Sequence, residues 1–262
     1  MTRQPSLFIP HGGGPCFFMD DPNGAWTSME HFLRSLPTLL PEVPKAILVV
    51  SAHWETKGFA FTGAPQPALI YDYYGFPPHT YELRFDAPGA PELAAKAAAL
   101  LEAAGLESAL DPRRGYDHGV FIPLKVAWPD ADVPVVEMSV DGALDPALHL
   151  AAGKALAPLR DEGVLIVGSG MSFHNMRGYG DPRFTEPSRQ FDDWLTQSVK
   201  LPASERAAAL AHWSESPGGR LSHPREEHLI PLMVVAGTAE GPGEQVFGDL
   251  VLKTAISGYR FD

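Results

Sequence analysis

A chain of 262 residues, 45% hydrophobic and 20% charged, is long enough to bury a substantial core and has the balance of an ordinary folded protein. Its formal net charge of −12 argues against nucleic acid as a partner, because phosphate binding needs clustered Lys and Arg, and no apolar run approaches a membrane span. Cys16 is the single cysteine, which excludes an intrachain disulfide and a thiolate-rich zinc site, so any metal must be held by the ten histidines and by carboxylates.

The opening "MTRQPSLFIP" lacks the long apolar segment and small-residue cleavage site of a secretory signal, so a cytoplasmic location is expected. "SLFI", "KAILVVSA", "VPVVEMSV" and "GVLIVGSG" read as strands from their β-branched content and Gly/Pro flanks, and "GFAFTG" as another. Helices are predicted between them. "PELAAKAAALLEAAG" opens near Pro91 and stops at Gly105; "DPALHLAAGKALAPLRDEG" has Asp145 as N-cap and Pro146 at the first position. "SRQFDDWLTQSV" and "SERAAALAHW" add further helix, and "SHPREEHLIPLMVVAG" predicts one from near Pro224 to Gly237 that Pro231 kinks or shortens. The C-terminal "GDLVLKTAISGYRFD" alternates and predicts an antiparallel edge strand or pair, while long loops occupy 64–91 and 170–187. The alternation implies a single-domain α/β fold, with a central mixed, largely parallel sheet flanked by helices.

Ligands of open α/β sheets gather outside the carboxyl ends of the strands. His11, His53 and His174 each follow an apolar run and can converge there. In "RRGYDHGVFIPL", His118 reads either as part of a turn favoured by Asp117 and Gly119 or as an acid/base group delivered on a loop. His228 lies inside the predicted last helix, either packed against Leu232 or as a ligand; His223 precedes that helix. His31, His149 and His212 read as surface or core residues. The aromatic stretch "YDYYGFPPHTYELRF" reads either as a wall of the site mouth, with Tyr73 and His79 facing substrate, or as a surface loop anchored by buried rings. The glycines of "PHGGGP" suggest a phosphate loop, but no Lys or Ser/Thr follows, Pro15 removes a donor, and Phe17 breaks the dinucleotide spacing. Glycines beside a ligand histidine let the backbone approach a metal closely. Imidazoles suit iron, zinc, copper and nickel, and a three-histidine set leaves open positions for substrate.

Taken in order, "PHGGGP", "SAHWE", "YDYYGFPPHTYELRF", "GYDHGVFIPL", "GSGMSFHN" and "HPREEHLIPL" resemble the 4,5-DOPA extradiol dioxygenase family. That family belongs to the class III extradiol ring-cleaving enzymes, alongside the catalytic subunit of protocatechuate 4,5-dioxygenase. The resemblance runs from about residue 6 to the C-terminus. It implies a metal site at the carboxyl end of the strands with His11, His53 and His228 as ligands. Glu227 is the alternative third ligand, as the glutamate of the protocatechuate branch. His174 matches an active-site histidine that acts as acid/base or as a fourth ligand, and His118 a second one near substrate or dioxygen. The implied reaction is cleavage of a catechol by O2 at Fe(II), giving a muconic semialdehyde, with Zn(II) able to occupy the same site. A monomer or small homo-oligomer is expected. "LRFDAPG" departs from the tyrosine-containing run of many members, which bears on substrate fit. Two other readings use the same residues: a zinc-dependent hydrolase or lyase, and a relative that binds metal or a partner without catalysis.

Overall fold

The computed structural model describes residues 2–262. Among these the strands are β1 (Ser6–Pro10), β2 (Ala46–Thr56), β3 (Phe59–Thr62), β4 (Ser108–Asp111), β5 (Val135–Asp141), β6 (Val164–Gly170), β7 (Gly243–Val251) and β8 (Thr254–Phe261). The α-helices are α1 (Thr27–Ser35), α2 (Pro91–Ala103), α3 (His118–Ala127), α4 (Pro146–Leu156), α5 (Pro158–Asp161), α6 (Thr185–Val199), α7 (Ala203–Ala211), α8 (Gly219–Ser222) and α9 (Ile230–Gly237). The strands form one sheet in the order β4-β3-β5-β2-β6-β1-β8-β7. Its centre, β5-β2-β6-β1, is parallel, whereas β8 pairs antiparallel with β1, β7 antiparallel with β8, and β3 antiparallel with β5.

The central strands are apolar without alternation because both faces are covered. Ile47, Val49, Leu165 and Val167 point into a core with α1 and α3. Their neighbours Leu48, Val50, Val164 and Ile166 point into the opposite core, with α2, α4 and α9. No helix among the described residues is long and apolar enough to cross a membrane.

Four local expectations change. The last helix begins at Ile230 rather than near Pro224, since Pro231 lacks an N–H and fits the first helical turn. His228 therefore sits in the turn before α9. His118 starts a helix instead of riding on a loop, with Asp117 at the N-cap position. His53 lies within β2, where pairing with β5 shifts register between Val50 and Glu55, a bulge that re-aims side chains. Short edge strand β4 and amphipathic α1 carry too few apolar residues to stand out in the sequence.

Two features tie the ends of the chain to the site. Arg160 is fully buried without a carboxylate partner, and donates to the carbonyls of Gln4 (2.8 Å), Thr238 (3.0 Å) and Phe261 (3.0 Å). It thereby joins the start of β1, the end of α9 and the end of β8. On β6, Gly168 and Gly170 have no side chain, which admits the carbonyls of Pro231 and His228 against the strand.

Arg160→Met is expected to lose about 3 kcal/mol, because three buried carbonyls lose their donor. Gly170→Ala is expected to lose roughly 1–3 kcal/mol, because a Cβ there would overlap the His228 carbonyl. Urea denaturation measures both, and wild-type midpoints would refute these accounts.

Candidate metal centre

Three imidazoles meet where the parallel strands end. His11 follows β1 directly, and its N–H donates to Gly170 O (3.2 Å). Gly12 (φ 80°) and Gly14 (φ 54°) then turn the chain in the left-handed region, which glycine enters without strain. His53 is held in the β2 bulge, where its N–H donates to Ser51 Oγ (3.2 Å) and the Ser51 hydroxyl donates to buried Asp117 Oδ1 (2.7 Å). Arg114 bridges Asp117 (2.7 Å) and Glu137 (3.3 Å) behind it. Burial, and then the neighbouring Asp117, push the Glu137 carboxyl well above its ordinary value. His228 is fixed from β6, since Met171 N–H donates to its carbonyl (3.0 Å).

The Nε2 atoms face one another: His53 Nε2 lies 3.1 Å from His11 Nε2 and 3.3 Å from His228 Nε2. Their protons can be assigned from the other ring nitrogens. Pro123 in α3 has no N–H for the Gly119 carbonyl four residues back, so that carbonyl is free to take the Ser169 hydroxyl. With its proton committed there, Ser169 Oγ accepts from His11 Nδ1–H (3.0 Å). Likewise His228 Nδ1–H donates to Glu227 Oε1 (2.9 Å). Both Nε2 atoms thus carry lone pairs aimed at His53 Nε2, which can donate to only one of them at a time. A cation resolves that conflict. Nitrogens about 2.1 Å from a shared ion, subtending about 90–110°, stand about 3.0–3.4 Å apart. The donor set therefore fits a metal.

Burial, then the neighbouring imidazoles, push His11 and His228 well below the ordinary histidine range. Burial and His118 bring His53 down to about 4, against the opposing pull of Asp117 and Asp72. The rings are consequently neutral near pH 7, the form that binds metal.

The other two expected histidines flank this cluster, each backed by a carboxylate. His174 stacks on His228 with centroids 3.4 Å apart, and its Nδ1 meets Glu227 Oε1 at 3.0 Å. Glu227 thus stands at the Nδ1 atoms of both rings. His118 Nδ1 meets Asp72 Oδ1 at 2.8 Å, and its ring centroid lies 3.9 Å from that of His53. For both carboxylates burial favours the neutral acid, but the histidine hydrogen bonds outweigh it and leave each below its ordinary value. Two donor sets lie within 4.8 Å, His11/His53/His118 and His174/Glu227/His228. His174 is grouped with Glu227 and His228, not with His11 and His53.

A cavity of about 430 Å³ opens over the cluster, with Trp26, Phe76 and Met176 among its walls beside His118 and His174. Tyr73 and His79, expected to face substrate, stand back from it. Tyr73 is buried and donates from its hydroxyl to Thr80 O (2.6 Å); exposed His79 reaches Phe18 O through Nε2 (3.0 Å). Phe76, in the same aromatic stretch, faces the cavity instead. Asp72 and Ser169 lie inside two of the motifs, but a single carboxylate or hydroxyl carries no periodic signal of its role. His149 is buried and His31 and His212 are exposed, as core and surface residues should be, and His223 is buried too.

The family model described as the catalytic LigB subunit of aromatic ring-opening dioxygenase matches residues 5–258. A protein named Dioxygenase tasH, from Hapsidospora irregularis, is 40% identical over 261 residues, covering 91% of this chain and 79% of that protein. A protein named 4,5-DOPA dioxygenase extradiol, from Beta vulgaris, is 37% identical over 251 residues, covering 94% and 90%. The crystal structure of an uncharacterized protein from Escherichia coli K12 superposes with a TM-score of 0.79 at 29% identity, covering 99% of this chain and 100% of that one. With the match spanning every element that builds the histidine cluster, the chain belongs to the LigB family of aromatic ring-opening dioxygenases.

Proposed function

We propose that the protein opens the ring of a catechol with dioxygen beside the diol, at a single metal ion held by His11, His53 and His228 through Nε2. The observation that carries this reading is the set of three Nε2 atoms facing one another at 3.1 and 3.3 Å, with both outer rings tied at Nδ1. Glu227 then supports His228 from behind rather than replacing it. Fe(II) suits this donor set, and Zn(II) can occupy it in isolated protein. When bound, ferrous ion supplies the redox coupling between catechol and dioxygen that ring opening needs.

The chain's own residues do the rest. Three imidazoles on one side leave the cavity side to substrate. Trp26, Phe76 and Met176 present apolar surface to an aromatic ring and exclude water around it. His174 holds its Nδ1 proton on Glu227, so its Nε2 can take a catechol hydroxyl proton and later return it. His118, held the same way by Asp72, assists proton delivery beside His53. The product is a muconic semialdehyde bearing both oxygen atoms of O2. Because a relative's name specifies 4,5-DOPA, catechols with an amino-acid side chain head the substrate panel.

Anaerobic reconstitution with ferrous ion, followed by air and a catechol panel, is expected to give oxygen uptake and a yellow semialdehyde. Absence of turnover together with zinc-dependent ester or amide hydrolysis would reassign the site to a hydrolase. His11→Ala and His53→Ala are expected to lose stoichiometric metal by elemental analysis, and full retention in both would overturn the ligand set. His118→Ala is expected to retain metal while kcat falls on the order of 100-fold.

A further inference from the structure

The aromatic stretch does more than wall the cavity. Asp72 Oδ1 accepts both hydrogen bonds that His118 offers on that side, from the backbone N–H (2.9 Å) and from Nδ1–H (2.8 Å). Its other oxygen lies 3.9 Å from His53 Nδ1. The two residues, 46 positions apart, are brought together by a short parallel bridge. Ile70 N–H donates to Tyr116 O and Tyr116 N–H to Ala68 O, both at 2.8 Å. Gly115 permits that approach, because a Cβ there would run into the Ala68 carbonyl. The Tyr73 ring then packs edge-on against His118, with centroids 5.8 Å apart, and is itself held by its hydroxyl on Thr80.

We propose that Asp72 is the positioning residue of His118: by taking two donors on one oxygen it fixes the Nδ1–H tautomer and the ring's rotation, leaving the Nε2 lone pair to the cavity. Tyr73 acts with it, as a brace for the ring rather than as a substrate contact. The inference rests on the proposed ring-opening reaction only for its effect on turnover; the tautomer is a property of the protein itself.

Double acceptance by one oxygen makes the variants informative. At position 72 an asparagine must point its carbonyl at the His118 backbone N–H, because an amide NH2 cannot accept. The same carbonyl then still receives Nδ1–H. Asp72→Asn should therefore keep the tautomer and lose only the charge, whereas Asp72→Ala should lose both. Side-chain nitrogen NMR of the zinc-loaded, diamagnetic protein is expected to show His118 protonated at Nδ1 in wild type and in D72N, and a mixture of tautomers in D72A. With ferrous ion and a catechol, kcat of D72A is expected to fall on the order of 10- to 100-fold, with KM and metal content near wild type. D72N should recover at least half of that loss on a logarithmic scale.

An unchanged single tautomer in D72A, or a tautomer mixture in D72N, would overturn the proposal. So would activity lost only in proportion to metal, or an unchanged kcat. Should D72A not fold, the D72N spectrum and its kcat-against-KM split decide alone. If wild type turns over no catechol, the ring-opening reading fails while the NMR comparison still tests Asp72.

Discussion

The site depends on an electrostatic conflict: two imidazole lone pairs converge on a third ring that has one proton at most to offer. Hydrogen bonds made elsewhere prevent either outer ring from changing tautomer to escape it. Ser169 holds the His11 proton at Nδ1 and Glu227 holds that of His228. The folding of the surrounding elements has therefore already covered the cost of bringing three buried nitrogens together, and a cation bound there would recover it. Burial works in the same direction, since it removes the option of charging the rings.

Much of the architecture serves to hold those supports. A proline within α3 looks like a defect, yet by leaving Gly119 O without its helical donor it decides where the Ser169 proton goes, and through it the His11 tautomer. Glycines in β6 look like weak points, yet they let the His228 turn pack directly against the strand. The β2 bulge costs ladder bonds but places His53 between the other two rings. Each local departure from regular structure has a consequence at the cluster.

The carboxylates divide the site into two halves. Glu227 serves both His174 and His228, so a ring of the cluster and a ring flanking it share one anion. Asp72 serves His118 and only approaches His53. This asymmetry gives the two flanking histidines different surroundings although both are backed by an acid, and it explains why the long aromatic loop is docked so closely against the start of α3.

How far this was legible in the sequence follows from the range of the interactions involved. Strand runs buried on both faces, a proline-opened helix with Asp145 as its cap, and histidines set after strands are local signals, so they announce the α/β fold and bring His11, His53 and His174 to one end of the sheet, while the family resemblance adds His228. The resemblance to a known family sharpened that set without reference to shape. Beyond it the local signals end. Nothing about Asp72, Ser169 or Pro123 marks them as supports, because their meaning lies in partners up to 158 residues away in the chain. Tyr73 and His79 looked suited to touch substrate, but which aromatic of a loop turns inward is settled by packing, and Phe76 took that place. The sequence by itself determined the fold class, since periodicity is carried locally, and the ligand candidates, since residue chemistry and the family resemblance are read from motifs that are each continuous in the chain. Only the tertiary structure decided tautomers, supports and walls, because hydrogen-bond direction and side-chain orientation exist only once distant segments meet.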